Sequence, residues 1–400
     1  MRILIADKLA SFVAGRLSDL GAEVLLDPKL SGAELAARLA ATEAEVLVVR
    51  STQVTREHID AAPRLALVVR AGAGVNTIDL ATASARGVYV ANCPGMNAAA
   101  VAELAIGHLV NLDRRIADNV IALREGRWDK KGFSVARGLR GRTLALLGFG
   151  RIGQEVARRA QGLGMRVVVW SRSLTVETAL AHDVGYAATP EEAVRSADAV
   201  SVHLALTAET RGRIGRSVFD SMRHGAYFVN TSRGEVVDEE ALLEALERRG
   251  LRAGLDVFAN EPSAGNAQWT SPITTHPSVY GTHHIGASSD EAEEAVGAEV
   301  VRIVAAYRDA MPIPNCVNLA GRTPATHRIV VRHLDQVGVL AHVLAVLRES
   351  ELNVQEMQNV VFSPPGAACA RVGVVGAPPV EALARIGRHD AVLSVGVVPI

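Results

Sequence analysis

Cysteine is scarce, at three in 400 residues. Cys93, Cys316 and Cys369 lack the paired spacings of a zinc site or a disulfide framework and read as small buried residues of a reducing compartment. Neither sign of charge is in excess, since 42 Lys and Arg oppose 43 Asp and Glu. That balance argues against a nucleic-acid or anionic-membrane partner held by bulk electrostatics. No apolar run is long enough to cross a bilayer. The N-terminal run Ile3-Leu4-Ile5-Ala6 is too short for a signal peptide and reads as a first strand, so a cytoplasmic protein is expected. What is present is an ordinary globular composition, 49% hydrophobic and 21% charged, with chain enough for two or three domains.

Short β-branched runs alternate with Ala/Leu/Arg/Glu-rich helical patterns, the signature of parallel sheets flanked by helices. Strands are expected at Ile3–Ala6, Val46–Val49, Ala66–Val69 and Val88–Ala91. One long buried helix should then run from Ala98 to about Leu123. A second unit begins at Thr143, with strands near Arg166–Trp170, Ala199–His203, Ala226–Asn230, Gly254–Val257 and Val279–Thr282. A helix from Ser289 to about Tyr307 leads back toward the first unit. The Pro- and Gly-bearing stretches 311–315 and 321–324 read as linkers. The remainder follows the order βαββαβ, a ferredoxin-like arrangement, with Ser363-Pro364-Pro365-Gly366 joining its two middle strands. The fold class is therefore α/β: two doubly wound parallel-sheet domains (Rossmann/flavodoxin-like) and a C-terminal ferredoxin-like domain. The expected boundaries are 1–96 with 286–318, 97–285, and 325–400.

Thr143 to Leu147 feeds Gly148-Phe149-Gly150-Arg151-Ile152-Gly153, a strand entering a helix through a glycine-rich turn, which is a nucleotide pyrophosphate site. Gly148 permits the turn, Gly150 lets the backbone approach phosphates, and Gly153 allows close helix–strand packing. The helix N-terminus adds free N–H donors and a positive dipole end. Three further strands end in Arg233, Glu261 and His284. An arginine can bind a substrate carboxylate in bidentate fashion, and a histidine can exchange the hydroxyl proton during hydride transfer. A glutamate on the other ring nitrogen orients the imidazole and favours its charged form. Singly, each has a plainer reading as a surface charge or a packed ring; their order behind the glycine turn favours a site.

These stretches, with Val69 to Asn76, Asn92 to Asn97, Ala102-Glu103, Asn230 to Glu239, Leu255 to Pro262 and His284 to Ser289, resemble the D-isomer-specific 2-hydroxyacid dehydrogenase family in order along nearly the whole chain. The resemblance is strongest to its phosphoglycerate dehydrogenase branch with a C-terminal ACT domain. It implies Arg233 as the substrate arginine, Glu261 as the partner and His284 as acid/base. It also implies a carboxylate site at the backbone of Gly74 and Val75, and pyrophosphate contacts from Arg151 and Ile152. Leu204, Thr231, Ser232, Arg233, Asp256 and the turn His284–Ala287, including Gly286 and Ala287, would line the nicotinamide and its ribose.

The implied reaction interconverts a D-2-hydroxy acid and its 2-oxo acid, with 3-phosphoglycerate and 3-phosphohydroxypyruvate, the pair of serine biosynthesis, leading. The chain departs from the family at several points. Ser171-Arg172-Ser173 stands where NAD-dependent members carry a ribose-binding acid. Two hydroxyls and a guanidinium suit a 2′-phosphate, giving a modest lean toward NADP; with Arg172 turned to solvent, weaker NAD binding is the other reading. The loop bearing Arg50 and Ser51 is one residue short and holds one arginine where some members have two; Lys130 and Lys131 are either its help or solvated charges. His283 and Ala205 replace family prolines. An NADPH-dependent glyoxylate or hydroxypyruvate reductase is the rival reading, and a dinucleotide-sensing corepressor-like binding protein the rival of another class. In the last domain, His333, Asp335 and Asn353 fall where some serine-inhibited relatives bind an amino acid, an effector site or only a pairing module. The resemblance also implies a homodimer or homotetramer.

Overall fold

In a computed structural model, residues 1–262 and 266–400 are described. They form two compact units, Met1–Asn318 and Leu319–Ile400. The first contains two parallel sheets. Strands β1 (Arg2–Ile5), β2 (Glu23–Leu26), β3 (Val46–Val49), β4 (Leu67–Arg70) and β5 (Tyr89–Asn92) are ordered β2-β1-β3-β4-β5. Strands β6 (Thr143–Leu147), β7 (Arg166–Trp170), β8 (Gly185–Tyr186), β9 (Ala199–Val202), β10 (Tyr227–Asn230), β11 (Arg252–Leu255) and β12 (Val279–Gly281) are ordered β12-β11-β10-β9-β6-β7-β8. The order reverses between β6 and β9, and a crevice at the carboxyl ends of strands is where such sheets bind ligands.

Helices cover both faces of each sheet, which is why β3, β6, β9 and β10 are buried at every residue rather than at alternate ones. Ile3, Ile5, Val46 and Val48 pack one face of the first sheet against Val300, Ile303 and Val304 of the helix Asp290–Arg308. That helix follows the last strand of the second sheet and packs on the first, so the chain crosses between the sheets twice.

The second unit has β13 (His327–Leu334), β14 (Val354–Val361), β15 (Ala367–Val374) and β16 (Val392–Pro399) in the antiparallel order β14-β15-β13-β16. Helices Val339–Glu349 and Val380–Gly387 complete βαββαβ and bury Val343, Val346, Leu347, Ala382 and Ile386 against Ile329, Val331, Ala370, Val372 and Val374.

Two expectations are corrected. The helix from Ala98 to Leu123 is two helices, Ala98–Arg114 and Ile116–Arg124, broken where Arg115 takes φ 53°. Asn111 Oδ1 accepts the Ala117 N–H there at 2.9 Å, replacing a helical backbone partner. Strands β2 and β8 are additional to those the apolar pattern implies, because Glu23–Leu26 is only partly buried and β8 is two exposed residues long. Among the described residues no helix is long and apolar enough to cross a membrane.

Candidate active site

The three glycines of the β6 turn do different things. Gly148 has φ 109°, and a Cβ there would collide with the His203 carbonyl. A Cβ on Gly153 would collide with the Gly148 carbonyl, so helix Arg151–Gly162 sits hard against the turn it leaves. Gly150 is the exception: a Cβ there would meet nothing within 4 Å. Its missing side chain leaves room for something other than the protein. Across the crevice, Leu204 packs beside Gly148, and Thr231 Oγ1 is buried without a hydrogen-bond partner. An open approach at a helix N-terminus, together with an orphaned hydroxyl after a nearby strand of the same sheet, fits a dinucleotide.

Ile152 packs into the apolar cluster behind the turn. Arg151 reaches out of the helix start, and its Nη1 donates to the Pro94 carbonyl at 2.6 Å. Ser171 and Arg172 follow β7, with Arg172 exposed and within Coulombic reach of Glu209.

Arg233, Glu261 and His284 follow the carboxyl ends of strands β10, β11 and β12. Asn230 Oδ1 accepts from Ser232 N at 3.0 Å and Oγ at 2.8 Å, and its Nδ2 donates to the Arg233 carbonyl at 2.9 Å. This bracket fixes the turn that aims Arg233 at Gly74, whose missing Cβ would stand 2.8 Å from Nη2. Gly74 and Val75 thus face the arginine across the site. The buried Asp256 holds the following loop: Oδ1 accepts from Thr282 Oγ1 at 2.6 Å and Ile285 N at 2.9 Å, and Oδ2 from Gly286 N at 2.9 Å. His108, buried beneath it, approaches Thr282 Oγ1 at 3.3 Å. Burial pushes the His108 pKa down, against the nearby Asp256 charge.

His284 takes φ 53° on this clamped loop, its N–H donating to the Asp256 carbonyl at 2.8 Å. Its Nδ1 meets Glu261 Oε1 at 2.5 Å, while Glu261 Oε2 accepts from Phe258 N at 3.3 Å. Burial alone would raise the Glu261 pKa; the hydrogen bond and charge of His284, with Phe258 N–H and Arg233, lower it below the usual carboxylate value. A charged Glu261 therefore holds the ring at Nδ1 and leaves Nε2 without a hydrogen-bond partner among the described residues.

Arg70, at the end of β4, carries no role in the sequence reading. The residue is partly buried, its Nε is buried without a partner, and no carboxylate among the described residues forms an ion pair with it. Burial, then Arg233 and Arg50, push its pKa down to about 10. Arg50, Arg70, Gly72, Asn97, Ala287 and Glu293 line one pocket beside Arg233. Ser51, next to Arg50 in the chain, is tied through N and Oγ to Asp7. Lys130 and Lys131 are exposed, and Lys130 lines a different groove with Trp128 and Phe133. The position of Arg70 at a carboxyl strand end was the available signal.

In the second unit, His333 is buried, with Nδ1 at 2.7 Å from the Leu334 carbonyl and Nε2 at 3.2 Å from Asn359 Oδ1. Asp335 follows it. Register through β15 sets His333 level with Val361, whereas Asn353 precedes Val354 at the other end of β14. Within one copy these three residues do not converge.

The family model for the D-isomer specific 2-hydroxyacid dehydrogenase, NAD binding domain, matches residues 106–286. D-3-phosphoglycerate dehydrogenase of Methanocaldococcus jannaschii is 37% identical over 80% of this chain and 60% of its own length. Hydroxypyruvate reductase of Thermotoga maritima is 41% identical over 65% of this chain and 83% of its own. The crystal structure of the TT0316 protein from Thermus thermophilus superposes with TM-score 0.71 and 33% identity, over 79% of this chain and all (100%) of that one. The chain spans 48 to 60% of the length of the phosphoglycerate dehydrogenases from M. jannaschii, Arabidopsis thaliana and Rattus norvegicus.

Proposed function

The chain belongs to the D-isomer specific 2-hydroxyacid dehydrogenase family, and within it we propose that it interconverts a D-2-hydroxy acid carrying an anionic tail and its 2-oxo acid, with 3-phosphoglycerate and 3-phosphohydroxypyruvate the leading pair. The observation that carries this reading is Arg70, whose Nε is buried without a partner and whose guanidinium pairs with no carboxylate among the described residues, beside Arg50 and near Arg233. A partly buried charge with no paired anion is costly until a ligand pairs with it. Glyoxylate and hydroxypyruvate have no second anion to offer.

The substrate carboxylate lies between Arg233 and the backbone at Gly74 and Val75, which orients the C2 oxygen toward His284 Nε2. In oxidation His284 takes the hydroxyl proton; in reduction it returns one to the carbonyl oxygen while Arg233 stabilises the developing charge. A nicotinamide dinucleotide, when bound along Gly148–Gly153, supplies the two-electron oxidant or reductant. Asp256 keeps the His284 loop in place against the crevice, and Glu261 keeps the ring turned.

Ser171 and the exposed Arg172 favour acceptance of NADP alongside NAD, through contacts to a 2′-phosphate. Hydroxypyruvate reduction is the second reading, favoured by the T. maritima relative and by Glu293, which already occupies Arg50. Self-assembly and an amino-acid effector at His333, Asp335 and Asn353 belong to the same proposal; the register favours such a site between two copies over one within a single copy. Steady-state rates with NADH and NADPH against phosphohydroxypyruvate, 2-oxoglutarate, hydroxypyruvate and glyoxylate test it. We expect phosphohydroxypyruvate to show the highest kcat/KM; a strong preference for unphosphorylated substrates rejects the phosphoglycerate assignment.

A further inference from the structure

The pocket beside Arg233 contains a carboxylate as well as its arginines. Glu293 sits in the first turns of helix Asp290–Arg308, whose start is capped by Ser289 Oγ accepting from Ala292 N at 3.2 Å. Its Oε1 receives Arg50 Nη1 at 2.7 Å. The backbone of Arg50 is fixed from the other side, because Asp7 Oδ2 accepts the N–H groups of Arg50 at 2.6 Å, Ser51 at 3.1 Å and Thr52 at 3.0 Å. The Arg50 guanidinium therefore moves little and is shared between two anions, Glu293 and any anionic tail that enters. Arg70 has no such competitor.

With Glu293 in place, one of the two arginines lining the pocket is already paired with a carboxylate. A phosphate monoester carries a charge of about −1.5 to −2 at neutral pH and would be set close to the Glu293 carboxylate. We propose that Glu293 is a specificity-determining residue, which sets the strength and selectivity of anionic-tail binding through its hold on Arg50. The inference rests on the reading of this pocket as the tail site. A purely structural role for Glu293, as an acid near a helix N-terminus, would change all substrates alike.

Glu293→Gln keeps the shape and one acceptor for Arg50 while removing the charge. We expect kcat/KM for phosphohydroxypyruvate to rise about tenfold, mostly through KM, with hydroxypyruvate changed less than about twofold. Inorganic phosphate, as a competitive inhibitor against hydroxypyruvate, should bind the variant more tightly by a similar factor. In Arg50→Met/Glu293→Gln the gain should vanish, because it acts through Arg50. Equal changes for the two substrates, or unchanged or weaker phosphate inhibition in Glu293→Gln, overturn the proposal. A wild type that turns over hydroxypyruvate but not phosphohydroxypyruvate rejects the phosphoglycerate reading alone; the phosphate inhibition constants then still decide the role of Glu293.

Discussion

Arg70 and His284 lie in one crevice but have opposite surroundings, and each surrounding implies its own test. His284 is about half exposed, tied to Glu261 at Nδ1, and free at Nε2. His284→Ala should lower kcat by about 10²- to 10⁴-fold while dinucleotide binding, measured by fluorescence titration, stays within about threefold. Normal turnover in that variant would remove its acid/base role. Arg70 is partly buried and pairs with no carboxylate among the described residues, so Arg70→Met should raise KM for phosphohydroxypyruvate at least about tenfold more than for hydroxypyruvate. The Glu261 carboxyl is depressed below its ordinary 4.5, so its stabilising interaction is present above that pH and lost as pH falls through the folded value. The melting-temperature gap between wild type and Glu261→Gln should thus be present above about pH 4.5 and close as pH falls below it. Arg233, Glu261 and His284 were legible because each follows a recognisable strand. Arg70 follows one too, but the missing partner that makes it informative is a property of the packed interior, which no local pattern encodes. Glu293 is the converse case: its pairing with Arg50 spans 243 residues of chain.

At the level of elements, the glycine turn separates folding from binding. Gly153→Ala forces a methyl into the Gly148 carbonyl and should cost about 1–3 kcal/mol of stability in urea unfolding. Gly150 has φ −72°, which any residue adopts, and open space where its Cβ would point. Gly150→Ala should therefore melt within a few degrees of wild type yet bind dinucleotide at least about tenfold more weakly. If both variants lost stability equally, the space at Gly150 would not be a ligand approach. The strands and the turn were readable because apolar runs and glycines act locally. The break at Arg115 was not, since the apolar pattern runs on through it and the Asn111 side chain supplies the acceptor that makes the break possible. The Asp256 clamp was likewise hidden: its carboxylate reaches residues 282, 285 and 286, far along the chain.

At the scale of the whole molecule, every proposed reacting group, from Arg50 to Glu293, falls within residues 1–318, and so do both parallel sheets. The unit 319–400 has its own core between two helices and one sheet face. Its edge strands β14 and β16 expose Val360, Val361, Val397 and Val398, more apolar surface than an isolated edge usually leaves to water. We propose a corresponding division of labour, with chemistry in the first unit and self-association or effector response in the second. A chain ended after Asn318 should fold on its own and keep kcat for phosphohydroxypyruvate within about threefold, since no apolar cluster of the first unit draws on residues beyond 318. It should also lose any inhibition by L-serine or another amino acid that the full chain shows, and elute as a smaller assembly if β14 or β16 mediates pairing. Turnover that collapsed in the shortened chain, with its melting transition intact, would instead assign residues 319–400 a direct part in forming the active crevice.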